Sequence, residues 1–166
     1  KGASEEDVII LDESLTQFAK IIKKELGYSI DELSGGGAAG GTAAGMHGFF
    51  RAELSSGFDL LAKMINLEES IRKTDMIFTA EGKIDQQSLK GKVPIGVARL
   101  AKKYNKPCVG LAGIIEDPLE PLYKEGFSGL FNIQNSPMSH EQSKLETKSL
   151  LQKTASRVFT FYKNIH

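Results

Sequence analysis

The sequence predicts an α/β fold: an open, mostly parallel sheet of about three to four strands flanked by helices, Rossmann-like in layout. Short apolar runs of strand length occur at residues 76–79, 107–111 and 126–131. Stretches with apolar residues at helical spacing separate these runs. A strand, a helix and a second strand in this order form a right-handed unit with parallel strands. Parallel sheets are usually wider than this, so we expect part of a larger two-domain fold.

Length, charge and cysteine content narrow the class of protein. The 166 residues suit one α/β unit over 1–166. The 21 basic and 21 acidic side chains balance, which argues against nucleic-acid or membrane partners. No apolar run is long enough for a transmembrane helix, and residues 1–7 lack the apolar core of a signal peptide. The one cysteine, Cys108, lies in an apolar run, which predicts a buried inert thiol in a cytoplasmic protein.

The first helix is predicted to end at Gly27, in the usual manner of a glycine after the last turn. Val8 to Leu11 is interpreted as the end of a strand. Ser14 with Gln17 forms a capping-box pattern, and Asp12 is an alternative cap. The predicted core side of this helix consists of Leu11, Leu15, Phe18, Ala19, Ile22 and Leu26.

Residues 34–54 are predicted to form a glycine-rich loop and a helix. Gly35, Gly37 and Gly40 match the spacing G-x-G-x-x-G, but no convincing strand precedes them, as a dinucleotide fingerprint requires. A P-loop is excluded because no Gly-Lys-Ser/Thr follows. Backbone N–H groups here could bind an anion at a helix start, or the small residues could simply let two backbones pack closely. The helix is predicted to carry Met46, His47, Phe49, Phe50, Ala52 and Leu54, with His47 more typical of a surface or satisfied histidine than of a ligand.

Residues 74–94 are predicted to form a strand and a site loop. The strand is Met76 to Thr79, and Pro94 suits the first position of the next helix. Two short helices, at 58–65 and at 67–72, precede the strand, the second capped by Asn66. Ligands of open α/β folds bind beyond the carboxyl ends of the strands, although a solvated connector is the alternative. The polar residues of the loop are Glu81, Lys83, Asp85, Gln86, Gln87, Ser88, Lys90 and Lys92.

The remaining elements follow from similar patterns. A helix from Pro94 is predicted to end at Asn105, and 107–111 is the next strand. Residues 112–117 are interpreted as a loop, with a helix start at Pro118. A third strand at 126–131 precedes a final helix capped by Ser139, with Gln142 completing the box. The predicted core side of that helix consists of Leu151, Ala155, Val158, Phe159 and Tyr162.

Two of these stretches resemble motifs of the bacterial glycerate kinase family. Residues 35–41, GGGAAGG, are similar to that family's GAGAAGG, and residues 80–94 resemble its signature GEGRxDxQTxxGKxP. The order of the two motifs also agrees, and the resemblance extends from about Asp12 to the final helix. Ala80, Lys83 and Ser88 depart from the family's usual Gly, Arg and Thr. Lysine at 83 keeps the charge but loses the planar fork of arginine.

The resemblance implies a kinase that transfers the γ-phosphoryl group of ATP to a hydroxyl of D-glycerate with Mg²⁺. It implies catalytic roles for Asp85, Glu81 and Lys92, with Asp85 also as the magnesium ligand. The implied substrate- or nucleotide-binding residues are Gly37, Ala38, Ala39, Gly40, Gly41, Gly82, Lys83, Gln87, Ser88 and Gly91.

Members of this family are much longer, so the resemblance implies the C-terminal part of a glycerate kinase that is weak or inactive alone. Oligomerisation, or association with a missing N-terminal half, is the implied partnership. The alternatives are a non-catalytic nucleotide- or small-anion-binding module and a folded structural fragment.

Overall fold

A computed structural model describes residues 2–165, and the chain divides into two compact units, 1–56 and 57–166. All three strands belong to the second unit. The first unit contains helices and turns over its described residues. That residues 1–166 form one α/β unit stays a prediction.

The first helix, α1, spans Glu5–Leu26, so the strand end predicted at residues 8–11 is wrong. The Ser4 hydroxyl accepts from the Asp7 amide at 3.1 Å, and the Asp7 carboxylate accepts from the Ser4 amide at 2.9 Å. This capping box and an acidic first turn favour a start well before the predicted caps. Ser14 instead donates to the Ile10 carbonyl inside the helix. The predicted end at Gly27 is confirmed by its positive φ of 78°.

Only part of the predicted core side of α1 is buried. Ala19 and Ile22 pack with Ile30, and Phe18 is half-buried against them. The other three predicted positions are wrong, because Leu11 is 56% exposed and Leu15 and Leu26 are each 42% exposed. Too few elements pack within this unit to cover the whole apolar stripe.

The second helix, α2, spans Thr42–Phe50 and ends where Arg51 takes a left-handed conformation with φ 55°. Ala52 and Leu54, predicted to lie on this helix, therefore follow it. Residues 28–33 form no strand, as expected.

The second unit contains a parallel three-stranded sheet in the order β1-β2-β3, which confirms the predicted α/β class. The strands are β1 (Ile77–Ile84), β2 (Cys108–Ile115) and β3 (Gly129–Asn132). Helices α3 (Gly57–Met64) and α4 (Leu67–Arg72) precede β1. Helix α5 (Val93–Lys103) joins β1 to β2, and α6 (Glu120–Lys124) joins β2 to β3. Helix α7 (His140–Ile165) ends the chain.

Strands β1 and β2 are longer at their carboxyl ends than predicted. The ladder continues through the pairs Lys83–Ile114 and Ile84–Ile115. Glu81, Gly82 and Lys83 therefore lie on a strand, and residues 112–115 are not a loop. What remains between β1 and α5 is a turn that contains a 3-10 helix at Gln86–Lys90.

Helices cover both faces of the sheet. One apolar cluster joins β1 and β2 to α5 and α6, with the buried members Ile84, Ile95, Val97, Ala98, Ala101, Cys108, Ala112, Leu122 and Phe127. A second cluster joins β2 to α7 with the buried members Val109, Leu111, Ile133, Leu150 and Val158. Phe159, predicted to face the core, is 53% exposed, so that assignment is wrong.

Three local predictions are confirmed in this unit. The Ser139 hydroxyl accepts from the Gln142 amide at the start of α7, which confirms the cap, although the Gln142 side chain donates to Glu146 rather than completing the box. Asn105 takes a positive φ of 52° just after α5. Cys108 is fully buried, and this burial raises the pKa of its thiol to about 12. Pro94 lies at the second rather than the first position of α5.

Across residues 2–165, the structure contains no helix that is both long and apolar enough to cross a membrane.

Candidate functional site

Charged side chains gather at the carboxyl ends of β1 and β2. Strand β1 supplies Glu81 and Lys83, and Asp85 follows its last residue. Glu116 follows β2, and its amide donates to the carbonyl of Ile84 at 3.1 Å, which fixes the two strand ends together. This is the edge at which open α/β folds bind ligands.

Lys83 lies between two carboxylates. Its Nζ is 2.9 Å from Glu116 Oε2 and 3.2 Å from Asp85 Oδ2. The hydrogen bond to Glu116, and then the one to Asp85, raise the pKa of Lys83 above its ordinary value. The lysine therefore stays protonated and holds the two acidic side chains in place.

Asp85 is buried, with 8% of the residue exposed, and both of its carboxylate oxygens have partners. Burial alone would raise its pKa, but hydrogen bonds from Lys83 and from the Ser88 amide outweigh burial, and the pKa is lowered. Oδ1 accepts from the Ser88 amide at 3.1 Å, while the Asp85 amide donates to Ser88 Oγ at 3.2 Å. Asp85 is thus a fixed, ionised carboxylate that also caps the 3-10 helix.

Glu81 and Lys92 form a looser pair at the start of α5. Their charged atoms are 4.0 Å apart, and their side chains are 33% and 37% exposed. Lys92 also helps to lower the pKa of Asp85 through its charge. Unlike Lys83, which is held at 2.9 and 3.2 Å by two carboxylates, Lys92 is only loosely paired and can bind an anion.

The other predicted residues near this edge differ in their surroundings. Gln87 is exposed on the 3-10 helix. Gly91 has φ 98° and its amide donates to the Ser88 carbonyl, so this position needs glycine for its backbone alone. Gly82 faces open space, because a Cβ built there meets nothing within 4 Å.

The glycine-rich stretch belongs to the first unit. Several of its amides already donate within the stretch, including those of Ala38 and Gly41. Those of Gly37, Ala39 and Gly40 have no acceptor among the described residues. A cradle over residues 37–41 would therefore use three amides rather than five, and this binding role stays a prediction.

Contacts within the first unit account for the position of the His47 side chain without a bound ligand. Its Nδ1 lies 2.9 Å from the Ala52 carbonyl oxygen, and its ring meets Tyr28 edge-on. Arg51 stacks over the Tyr28 ring at 3.4 Å from its centroid. These contacts hold the end of α2.

The donor set fits Mg²⁺ only in part. Residues 2–165 contain no group of three or more histidine, cysteine or acidic side chains placed to hold a metal. Mg²⁺ in kinase sites commonly uses one or two carboxylates together with water and phosphate oxygens. Asp85 and Glu81 provide carboxylates of that kind, so the predicted metal role is compatible with the residues present.

A cavity of about 320 Å³ lies at the same strand ends, and sequence reasoning missed it. Its position on the α7 side of the sheet follows from Leu111, which lines it and belongs to the α7 cluster. The segment after β3 supplies the polar residue Gln134 to the lining, and α7 supplies Ser143, Lys144 and Thr147. The predicted cap at Ser139 was the feature of the sequence that could have indicated this cavity, because it placed the start of α7 after the third strand.

The parallel sheet, with charged groups and a cavity at its carboxyl edge, defines an α/β protein with a candidate ligand site at that edge. The sequence profile of the glycerate kinase family matches residues 1–163, and the chain belongs to this family. The resemblance stated from the two motifs is thereby confirmed.

Individual relatives agree with this membership. The chain is 43% identical to glycerate 2-kinase of Escherichia coli K12 over 136 residues, which cover 82% of this chain and 36% of the relative. It is 37% identical to glycerate kinase of Halalkalibacterium halodurans over 158 residues, 95% of this chain and 42% of the relative. A crystal structure described as a glycerate kinase 2 of Salmonella typhimurium LT2 matches with a TM-score of 0.72 and 34% identity. That match covers 98% of this chain and 42% of the other. The chain thus spans about two-fifths of the length of these relatives.

Proposed function

We propose that this chain acts in a glycerate kinase, in the transfer of the γ-phosphoryl group of ATP to a hydroxyl of D-glycerate. The observation that carries the proposal is the charged cluster at the carboxyl ends of β1 and β2, in a member of the glycerate kinase family. Phosphoryl transfer depends on positioning and charge neutralisation more than on covalent chemistry, and such a cluster suits it.

The residues divide into groups that act on substrates and groups that hold them. Lys92 neutralises phosphate charge, because its pairing with Glu81 is loose and its side chain is partly exposed. Asp85, held ionised, or Glu81 accepts the proton of the glycerate hydroxyl. Lys83 positions Asp85, and Gln87 contacts substrate from the 3-10 helix.

Bound Mg²⁺ would supply charge neutralisation between phosphate oxygens, with Asp85 as its protein ligand and Glu81 as a second candidate. Ser88 keeps Asp85 in position through their reciprocal hydrogen bonds. The glycine-rich stretch would receive an anionic group of a substrate at its three free amides.

We expect weak or no activity from the chain alone, because the relatives that it matches are more than twice as long. The further proposals are a cytoplasmic location and association with the remaining part of a glycerate kinase, or oligomerisation. The second candidate function is a non-catalytic nucleotide-binding module, which the cavity beside the charged cluster favours.

A coupled ADP-release assay with Mg-ATP, with and without D-glycerate, tests the proposal. The chain is assayed alone and with the separately expressed remaining part of the Escherichia coli relative. Glycerate-dependent ADP release in the mixture is the expected result, and Asp85→Asn should lower it by about 100-fold or more. Lys92→Gln should also lower the release, because it removes the cation that neutralises phosphate charge. Lys153→Gln, which replaces an exposed lysine on α7, is its matched surface control and should not. Absence of release in the mixture, together with ATP binding, would favour the non-catalytic module.

A further inference from the structure

The cavity at the strand ends lies toward α7 and borders the charged cluster, because Glu81 is one of its lining residues. Gly82 and Ala80 line the cavity, together with Gly113, their neighbour on β2. The carboxyl end of β1 therefore contributes both to the charged site and to a pocket with a floor of small residues.

The chemistry of the cavity differs from that of the charged site. Its lining is mainly apolar, with the large members Leu111, Ile114, Ile133 and Leu151, and Glu81 is the acidic residue at its border with the charged site. Ligand pockets usually combine such a lining with a few polar groups in a volume of roughly 300–1,000 Å³. D-Glycerate is a small acid with oxygen on each carbon, so an apolar lining does not suit it.

We propose that this cavity holds the nucleoside of the nucleotide substrate, with Lys144 contacting its phosphates. The inference rests on the proposed kinase function and assigns the nucleotide to one side of that site. A flat aromatic base fits a pocket whose floor is glycine and alanine and whose wall is apolar. The phosphates then extend past Gly82 toward Lys92, whose partner Glu81 also lines the cavity.

The polar groups of the cavity are consistent with this assignment. Gln134 Nε2 donates to the Ser143 hydroxyl at 2.7 Å, and Ser143 is 6% exposed. The other amide atom, Gln134 Oε1, receives no hydrogen bond from the described residues and is available to a base. Lys144 has no ion-pair partner within residues 2–165, so its charge is free for a phosphate.

Gly82 offers a direct way to fill the cavity. A Cβ at this position meets nothing within 4 Å, and its φ is not in the left-handed region. Gly82→Val should therefore fold normally while its side chain occupies space that the nucleoside needs. Thr147→Phe fills the cavity from α7 and serves as an independent second variant.

The test is isothermal titration of the 166-residue chain with ADP and with adenosine, after circular dichroism has shown that each variant is folded. Gly82→Val and Thr147→Phe should each weaken ADP binding at least about tenfold. Lys144→Gln should weaken ADP binding about three- to tenfold and leave adenosine binding unchanged. Lys148→Gln, one turn along α7 and outside the cavity lining, should change neither.

The inference is overturned if the wild-type chain binds no ADP, or if both filling variants bind it with wild-type affinity. These outcomes are separate from failure of the proposed function. ADP binding that both filling variants abolish, without glycerate-dependent transfer in the mixture, supports the cavity and refutes the kinase. Transfer in the mixture with an unchanged KM for ATP in both filling variants supports the kinase and refutes the cavity.

Discussion

Ser88→Ala should destabilise the turn that carries the charged site. The Ser88 side chain is fully buried, and its hydroxyl accepts from the amide of Asp85, which is itself 8% exposed. Alanine leaves that amide without an acceptor, and an unsatisfied buried donor costs about 1–3 kcal/mol. The N-cap residue is Asp85, and its own bond to the Ser88 amide remains in the variant, which limits the loss. We therefore expect the free energy of unfolding to fall by about 1–2 kcal/mol.

Urea unfolding followed by far-ultraviolet circular dichroism measures this change. With a slope of about 1–3 kcal/mol per molar urea, the midpoint should fall by about 0.3–2 M. Ser88→Thr retains the hydroxyl and matches the usual residue of the family motif, so it should lose less stability than alanine. Ser156→Ala, an exposed position on α7, is the control and should stay within about 0.5 kcal/mol of wild type.

A Ser88→Ala midpoint equal to that of the Ser156→Ala control would contradict this prediction. It would mean that the hydrogen bond between Ser88 and the Asp85 amide contributes nothing to stability. Such a bond would not hold Asp85 in position either.

Three further predictions concern other parts of the second unit. Gly126→Ala should lower the free energy of unfolding by at least about 2 kcal/mol, since φ is 120° and the new Cβ would lie 2.4 Å from the Ala98 carbonyl oxygen; an unchanged melting temperature would contradict this. Cys108 should not react with a disulfide reagent at pH 8 until the chain is unfolded, because burial raises its thiol pKa to about 12; rapid native-state labelling would contradict this. The lowered pKa of Asp85 stabilises the fold above the unfolded value of 3.8, and this contribution is lost as the pH falls below it. Asp85→Asn should therefore show a shallower acid-side loss of stability than wild type, and equal slopes would exclude the effect.

The sequence was sufficient to predict the core of the sheet but not its full extent. Residues 107–111 are apolar, and all but the first lie on the central strand β2. A central strand is buried whatever its register with its two neighbours. Glu81 and Lys83 were predicted to lie in a loop because they are polar. Polar side chains also suit a strand end that faces a ligand site. Their place on β1 depends on pairing with Ile114 and its neighbours, and a pairing partner is not visible in a local pattern.

In the first unit, the sequence predicted the helix but not which of its apolar residues are buried. Its helical spacing correctly indicated α1, but the same spacing could not show which apolar residues find a partner. Leu11 and Leu15 remain exposed because the elements packed within this unit cover only the Ala19 and Ile22 side. Burial depends on neighbouring elements, whereas periodicity depends on the helix alone.

The cavity was missed for a related reason. Apart from Glu81, its polar residues come from the segment after β3 and from the first turns of α7, far in sequence from the motif at 80–94. None of these polar residues is distinctive in the local sequence pattern. Only the parallel pairing of β2 with β3 brings them to the same edge of the sheet.

The two lysines of the motif have different electrostatic surroundings, and this difference constrains the chemistry. Lys83 already contacts two carboxylates at 2.9 and 3.2 Å, so its charge is largely compensated before any substrate binds. Lys92 lies 4.0 Å from one partly exposed carboxylate and remains able to attract an anion. A bridging role also suits arginine, the usual residue of the family motif at position 83, because its planar fork can engage two carboxylates at once. We therefore expect position 83 to organise the acidic residues and Lys92 to meet the phosphate. Lys83→Arg should accordingly retain glycerate-dependent ADP release in the mixture, whereas Lys92→Arg, which alters the cation itself, should raise the KM for ATP.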